Sequence, residues 1–265
     1  MSDAAADNPT PPPPSPWDRE RPTRARAASA RAPLSRERVV EAAYTVLDRQ
    51  GLDGMSMRQV AAELDVTVSA LYAHVSSKDD LLELMYTRLF EGYKMPAPDP
   101  ERWQEQVRDF ARTGRRHLLA HRDMARISMA HVPFTAELLP HVEALLAIFR
   151  TAGLPDRIAA EAGDLISTYI DGFVLEEGMW QDRAAPHEGD DSSLARPDWS
   201  EMAGEMQNYF ASLPATDFPH LRALAGLMVT DSDERFEIGL EIILRGLASY
   251  LPDSAAAGSP DTGQS

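Results

Sequence analysis

The 265-residue chain has no cysteine. That excludes a disulfide scaffold, a thiolate metal site and a cysteine nucleophile, and it points to the reducing cytoplasm. No stretch approaches ~18 uninterrupted apolar residues, so no membrane insertion is expected, and the acidic, proline-rich N-terminus is not a secretory signal. No segment alternates with period two long enough for a strand. The HExxH, G-x-S-x-G and P-loop patterns are missing as well. Glu176 and Glu177 form a carboxylate pair, but neighbours on a helix point ~100° apart and make no acid and base couple. These absences leave an all-α cytoplasmic protein that is not an enzyme and needs neither a metal nor another cofactor.

What is present starts with charge. The chain has a formal net charge of -16 and 43% hydrophobic residues, enough for a sizeable core. The charge is uneven. Residues 17–78 hold ten Lys and Arg against eight Asp and Glu, whereas residues 79–265 carry the whole -16. The early part can approach a polyanion while the acidic remainder is held away from it. Lysine is scarce, with Lys78 and Lys94 the only two.

Residues 1–33 contain "PTPPPPSP" and an arginine run, with almost nothing to bury, and are expected to be disordered. The arginines read equally as a solvated tail or as an arm that contacts DNA. Residues 252–265 read as a disordered tail. Between them about ten helices are expected. Ser35, Ser56, Thr67 and Ser77 each sit at a capping position before a helical pattern, with Gly51 stopping the first helix and "MPAPDP" following the fourth. Further helices are expected over 101–121, 123–130, 135–152, 156–181, 199–212 and 232–251, with a mobile loop at 182–198.

The second and third helices meet across Asp65 and Val66, a helix-turn-helix spacing. Leu64, Val66 and Leu71 are expected to anchor the short third helix. Its other face has Thr67, Val68, Ser69 and Ala70, small enough for a major groove ~12 Å wide and able to contact base edges. Tyr72, His74 and Lys78 can reach phosphates, and Lys78 draws attention because a cation at a helix start opposes the dipole. A single reading helix discriminates too few base pairs, so a symmetric homodimer on a palindromic double-stranded DNA operator is expected. Two apolar stripes could pair with their copies as a four-helix bundle: Leu165, Ile166 and Ile170, and Phe236, Leu240, Ile243, Leu244 and Leu247. Gly239 and Gly246 on the second helix could allow close approach.

Residues 35–94, with "SMRQVAAEL" and "LYAHVSSKDDLL", resemble the DNA-binding domain of the TetR family of bacterial transcriptional regulators. "RFEIGLEIILRGLASYL" resembles the last helix of its tetracycline-repressor branch. The resemblance implies an N-terminal DNA-binding domain over 34–94, to which Arg58 also contributes, and a ligand-binding and dimerisation domain over 95–251. It implies a small-molecule effector whose binding shifts the fourth helix. The large side chains Trp103, Phe110, Met129, Phe134, Tyr169, Phe173 and Trp180, with His131, His141 and Glu176, are the candidate pocket for an apolar or polyaromatic effector. In that branch a histidine ligates magnesium; its place here falls on Ser128, so recognition of a magnesium chelate is not expected to carry over. The resulting reading is a ligand-released repressor. The alternative is a helical ligand-sequestering dimer that does not bind an operator.

Overall fold

The computed structural model describes residues 33–130, 135–184 and 199–252. Four hydroxyl caps set the register of its first helices. Ser35 accepts from the Arg38 amide ahead of α1 (Arg36–Gly54), and Ser56 accepts from the Gln59 amide ahead of α2 (Met57–Glu63). Thr67 does the same for Ala70 before α3 (Val68–Leu71), and Ser77 for Asp80 before α4 (Lys78–Arg88). Each cap satisfies a helix-end donor that would otherwise need water.

Gly51 adopts φ 69° and breaks α1, as expected from the sequence, although one further turn follows it to Gly54. The bend between α2 and α3 depends on Asp65, in the left-handed region at φ 53°. Its amide bonds Ala62 O, and the Val66 amide bonds Ala61 O, which is the double-bonded helix terminus normally completed by glycine. An aspartate tolerates that conformation better than most residues. Leu71 is fully buried and, with the nearly buried Val75, anchors α3 on a core that includes Val39, Ala43, Leu47 and Leu81; Leu64 and Val66 are only half-buried.

The remaining helices are α5 (Trp103–Leu119), α6 (Met124–Ala130), α7 (Leu139–Thr151), α8 (Asp156–Ala184), α9 (Trp199–Ser212), α10 (Pro219–Ala223) and α11 (Ser232–Ala248). A 3-10 turn, Ala225–Leu227, follows α10. No strand occurs among the described residues. The long α8 is the axis of this part: α5, α6, α7 and α11 all pack on it, while α9 packs mainly on α10 and the 3-10 turn. From Ser35 onward the described residues form one compact unit.

Most helix ends shift by a few residues from expectation, and α4, α8 and α10 depart from it most. Helix α4 ends at Arg88, several residues short of the "MPAPDP" expected to follow it, because Leu89, Phe90 and Glu91 switch to tighter bonds to the carbonyls three residues back. Helix α8 runs on to Ala184, into the segment expected to be a loop, and α10 was not expected at all. The arginine-rich extension up to residue 32, the rest of the 182–198 loop and the tail from 253 lie outside the described residues.

Candidate nucleic-acid interface and effector cavity

On α3 and its flanks, Thr67, Ser69, Tyr72 and Ala73 are exposed, and Val68, Ala70 and His74 are half-buried. Tyr72 is 51% exposed, so its ring is available to a partner rather than serving as a core strut. Arg58 on α2 is exposed beside it in sequence order. Among the candidate DNA contacts, Lys78 is placed differently from the sequence expectation. Its Nζ donates to Met55 O at 2.8 Å and lies 3.5 Å from Leu52 O, at the broken end of α1. The cation opposing the α4 dipole is thus offset by carbonyls at the negative end of another helix. A phosphate is not needed to explain it.

The end of α1 also meets the α5–α6 turn. Asp123, left-handed at φ 58°, accepts from the Leu52 amide at 2.7 Å, close against Gly51, where a Cβ would lie 2.9 Å from the carboxylate. Arg126 forms a bidentate pair with Asp53, which holds that carboxyl below the usual range. His121 lies 2.9 Å from Asp48 and stacks on Tyr44 at 4.1 Å between ring centroids. A cavity of ≈ 520 Å³ at this turn is walled by Arg122, Asp123 and Arg126, side chains of the same docking contact.

A second cavity, of ≈ 540 Å³, opens between α4, α5, α6, α7 and α8 and falls within the usual ~300–1,000 Å³ of small-molecule sites. Its walls are mainly apolar, with Tyr86, Phe90, Phe110, Met129, Leu138 and Leu145. Inside lies Asp171, 9% exposed, which accepts from Ser128 Oγ at 3.1 Å. Burial pushes its carboxyl up to about 6, partly offset by the Ser128 hydroxyl. Tyr86 bonds the same serine, and burial raises its hydroxyl above the usual range. His141 also lines the cavity; its Nε2 lies 3.1 Å from Tyr93 O, and its ring packs with Phe90 and Tyr93.

Of the effector candidates from the sequence, Phe110, Met129 and His141 line this cavity. His131 and Phe134 lie outside the described residues. The others do not line it. Trp103 is buried at the start of α5. Tyr169 and Phe173 pack on Phe236 of α11, with Arg115 and Arg235 over the Phe173 ring at 5.4 and 5.3 Å. Glu176 pairs with Arg235 at 2.9 Å, and Trp180 Nε1 lies 3.5 Å from Glu176. These residues occupy the α8–α11 seam because they lie on a different stripe of α8 from Asp164, Ser167, Thr168 and Asp171, which line the cavity. Asp171 itself went unrecognised in the sequence; a lone aspartate inside an amphipathic helix gives no local signal of burial.

The expected dimer stripes also need correction. Ile166, Ile170, Phe236, Leu240, Leu244 and Leu247 are buried within the single chain, and Ile243 is half-buried. Only Leu165 among those candidates is exposed, at 48%. The apolar side chains left outward on and just after α11 are Ile238, Ile242 and Tyr250, one stripe around from the expected one. Gly239 serves the internal seam: it admits the Tyr169 ring, whose hydroxyl donates to Phe236 O at 2.8 Å and would collide with any Cβ there. Gly246 has open space before it.

Residues 39–85 match the family described as "Bacterial regulatory proteins, tetR family", and residues 95–251 match "Tetracyclin repressor-like, C-terminal domain". The chain belongs to the TetR family of transcriptional regulators. An HTH-type transcriptional regulator of Saccharopolyspora erythraea is 29% identical over 221 residues, covering 82% of this chain and 85% of its own. The class D tetracycline repressor of Escherichia coli is 31% identical over 224 residues, covering 83% and 92%. The crystal structure of the Streptomyces coelicolor TetR family protein ActR in complex with actinorhodin aligns with a TM-score of 0.72 and 40% identity, covering 84% of this chain and 99% of ActR. The fold is that of these regulators, an N-terminal helix-turn-helix followed by a helical C-terminal domain.

The residues do not fit the magnesium site of the tetracycline branch. Ser128, where the resemblance places that branch's histidine, donates its hydrogen to Asp171, and Glu176, the acidic residue the resemblance places near the metal, pairs with Arg235. Neither is available as a ligand.

Proposed function

We propose that the protein is a homodimeric repressor that binds a palindromic operator and is released from it by a small apolar or polyaromatic effector. Residues 34–94 form the reading part and residues 95–251 the effector-binding and dimerising part. One observation carries this reading: α4 connects the two. Its N-terminus follows α3 in the chain and its Lys78 is tied to the end of α1, while Tyr86 near its C-terminus and Phe90 just beyond line the cavity. A ligand that displaces Phe90 therefore acts on the element that directly follows α3 and packs on α1. A coupling of ~1–3 kcal/mol would change operator affinity ~5- to 150-fold. The relatives support the effector class, since ActR was crystallised with actinorhodin and the class D protein is a tetracycline repressor.

Two faces support pairing: Ile238, Ile242 and Tyr250 on and just after α11, and Leu165 on α8, all exposed and apolar. Thr67, Val68, Ser69 and Ala70 read bases, and Arg58, Tyr72 and His74 hold phosphates; Lys78 holds the frame. Among the described residues no helix is long and apolar enough to cross a membrane; a regulator that meets DNA directly is placed in the cytoplasm by that role. The test is selection of bound fragments from a genomic DNA pool. Recovery of a palindrome whose log affinity falls linearly with log salt supports the reading. Recovery of no preferred fragment, with the protein still dimeric and ligand-binding, favours the sequestering alternative.

A further inference from the structure

The charge inside the effector cavity is one-sided. Among the described residues no Lys or Arg lines it, but two aspartates seven residues apart on α8 do: Asp164, exposed, and Asp171, 9% exposed. No cation pairs with Asp171 among the described residues; its partner is the Ser128 hydroxyl. A buried carboxylate without a counter-ion is costly, and the cost disappears when a ligand brings the opposite charge.

The second polar feature has the same sense. His141 Nε2 faces the Tyr93 carbonyl, which can only accept, so Nε2 carries the proton and Nδ1 of the neutral ring is an acceptor. That Nδ1 is buried with no hydrogen-bond partner among the described residues. Ser128 has already given its hydrogen to Asp171. The two buried acceptors in the cavity, the Asp171 carboxylate and His141 Nδ1, thus face no cation among the described residues, while the hydroxyls of Ser167 and Thr168 belong to exposed residues; the rings of Phe90 and Phe110 favour a flat, cation-bearing partner.

We propose that the effector is an organic cation: a planar aromatic frame carrying a protonated amine, with the frame between the apolar walls and the ammonium on Asp171. The proposal rests on the effector-responsive reading above for the role of the cavity, but its test uses binding alone. The probes are three fluorescent molecules on one ring system: 9-(aminomethyl)anthracene as cation, 9-anthracenemethanol as neutral analogue and anthracene-9-carboxylate as anion. Anisotropy titrations with the full-length protein, without DNA, should rank them amine, alcohol, carboxylate. The amine should bind about tenfold or more tighter than the alcohol, the increment of a charge-assisted hydrogen bond. In Asp171→Asn that preference should shrink to about threefold or less, while the alcohol binds as before.

The variant also controls for the acidic surface. A preference for the amine that survives Asp171→Asn belongs to general attraction by a chain of net charge -16 and overturns the proposal. So does an alcohol or carboxylate that matches the amine on the unmodified protein, or failure of all three to bind. Salt-dependent binding of a selected DNA fragment, measured separately, keeps the regulator reading if the ranking fails. Loss of that DNA binding retires the regulator reading and leaves the ranking to stand or fall alone.

Discussion

The outward face of α3 and the wall of the cavity are assembled in contrasting ways. The first comes from one short stretch: Thr67 caps the helix, the left-handed Asp65 sets its angle, and buried Leu71 and Val75 fix which side faces out. The second draws Phe110, Ser128, His141 and Asp171 from four helices and depends on how far each is rotated about its axis. A local device determines the first, so its geometry survives changes elsewhere. The second exists only when the helices pack, and α8 shows how narrow the margin is, with cavity and seam stripes one residue apart at Thr168 and Tyr169.

The sharpest test of that contrast is on α11, where core and outward stripes also lie side by side. Leu240→Ala removes a fully buried side chain and should lower the unfolding free energy by about 2–5 kcal/mol in a denaturant titration. Ile242→Glu, at a position 67% exposed, should leave helix content and unfolding of the monomer intact while light scattering shows the dimer lost. If the two outcomes are exchanged, the outward stripe is misassigned.

Asp171→Asn should stabilise the protein. The folded state holds the Asp171 proton up to about 6, above the ordinary carboxylate value of 3.8. The native chain therefore binds more protons than the unfolded one in that window, and stability falls as pH rises through it. The penalty is complete above the folded value, so the variant gains up to about 3 kcal/mol near pH 7 and almost nothing below pH ~4. Melting temperatures across that range measure it, and a variant no more stable than the parent at pH 7 removes the buried charge from the account.

Gly239→Ala places a methyl group against the Tyr169 ring and should cost about 1–3 kcal/mol, read by the same titration. The smallest effects separate two residues of the reading head. Tyr72→Ala should weaken binding to a selected operator about fivefold with an unchanged melting point, as for loss of one exposed contact. Lys78→Ala should lower stability by about 1 kcal/mol, because the carbonyls at the end of α1 lose their donor. A Lys78 variant with normal stability and weak operator binding would return that side chain to the DNA.

The sequence carried the helices well, because their ends are written in short-range chemistry: four hydroxyl caps, Gly51 and the prolines after α4. The helix-turn-helix was legible for the same reason. Rotation was not. The stripe Phe236, Leu240, Leu244 and Leu247 is equally apolar whether it meets a partner copy or α8, and periodicity gives the face without its destination. Tyr169 and Phe173 could be named as large aromatics, but only packing shows that Phe236 and two arginines enclose them. Lys78 was visible as an anomaly of charge, and its partner lay 23 residues away at Met55.

The separate stripes of α8 have a consequence for how such a protein can diverge. Asp164, Ser167, Thr168 and Asp171 touch the cavity, whereas Tyr169, Phe173 and Glu176 secure α11. Codons for the first set can drift toward a new chemical signal without loosening the second. A lineage could thus inherit its architecture unchanged while retuning what it senses, one face of a single helix at a time.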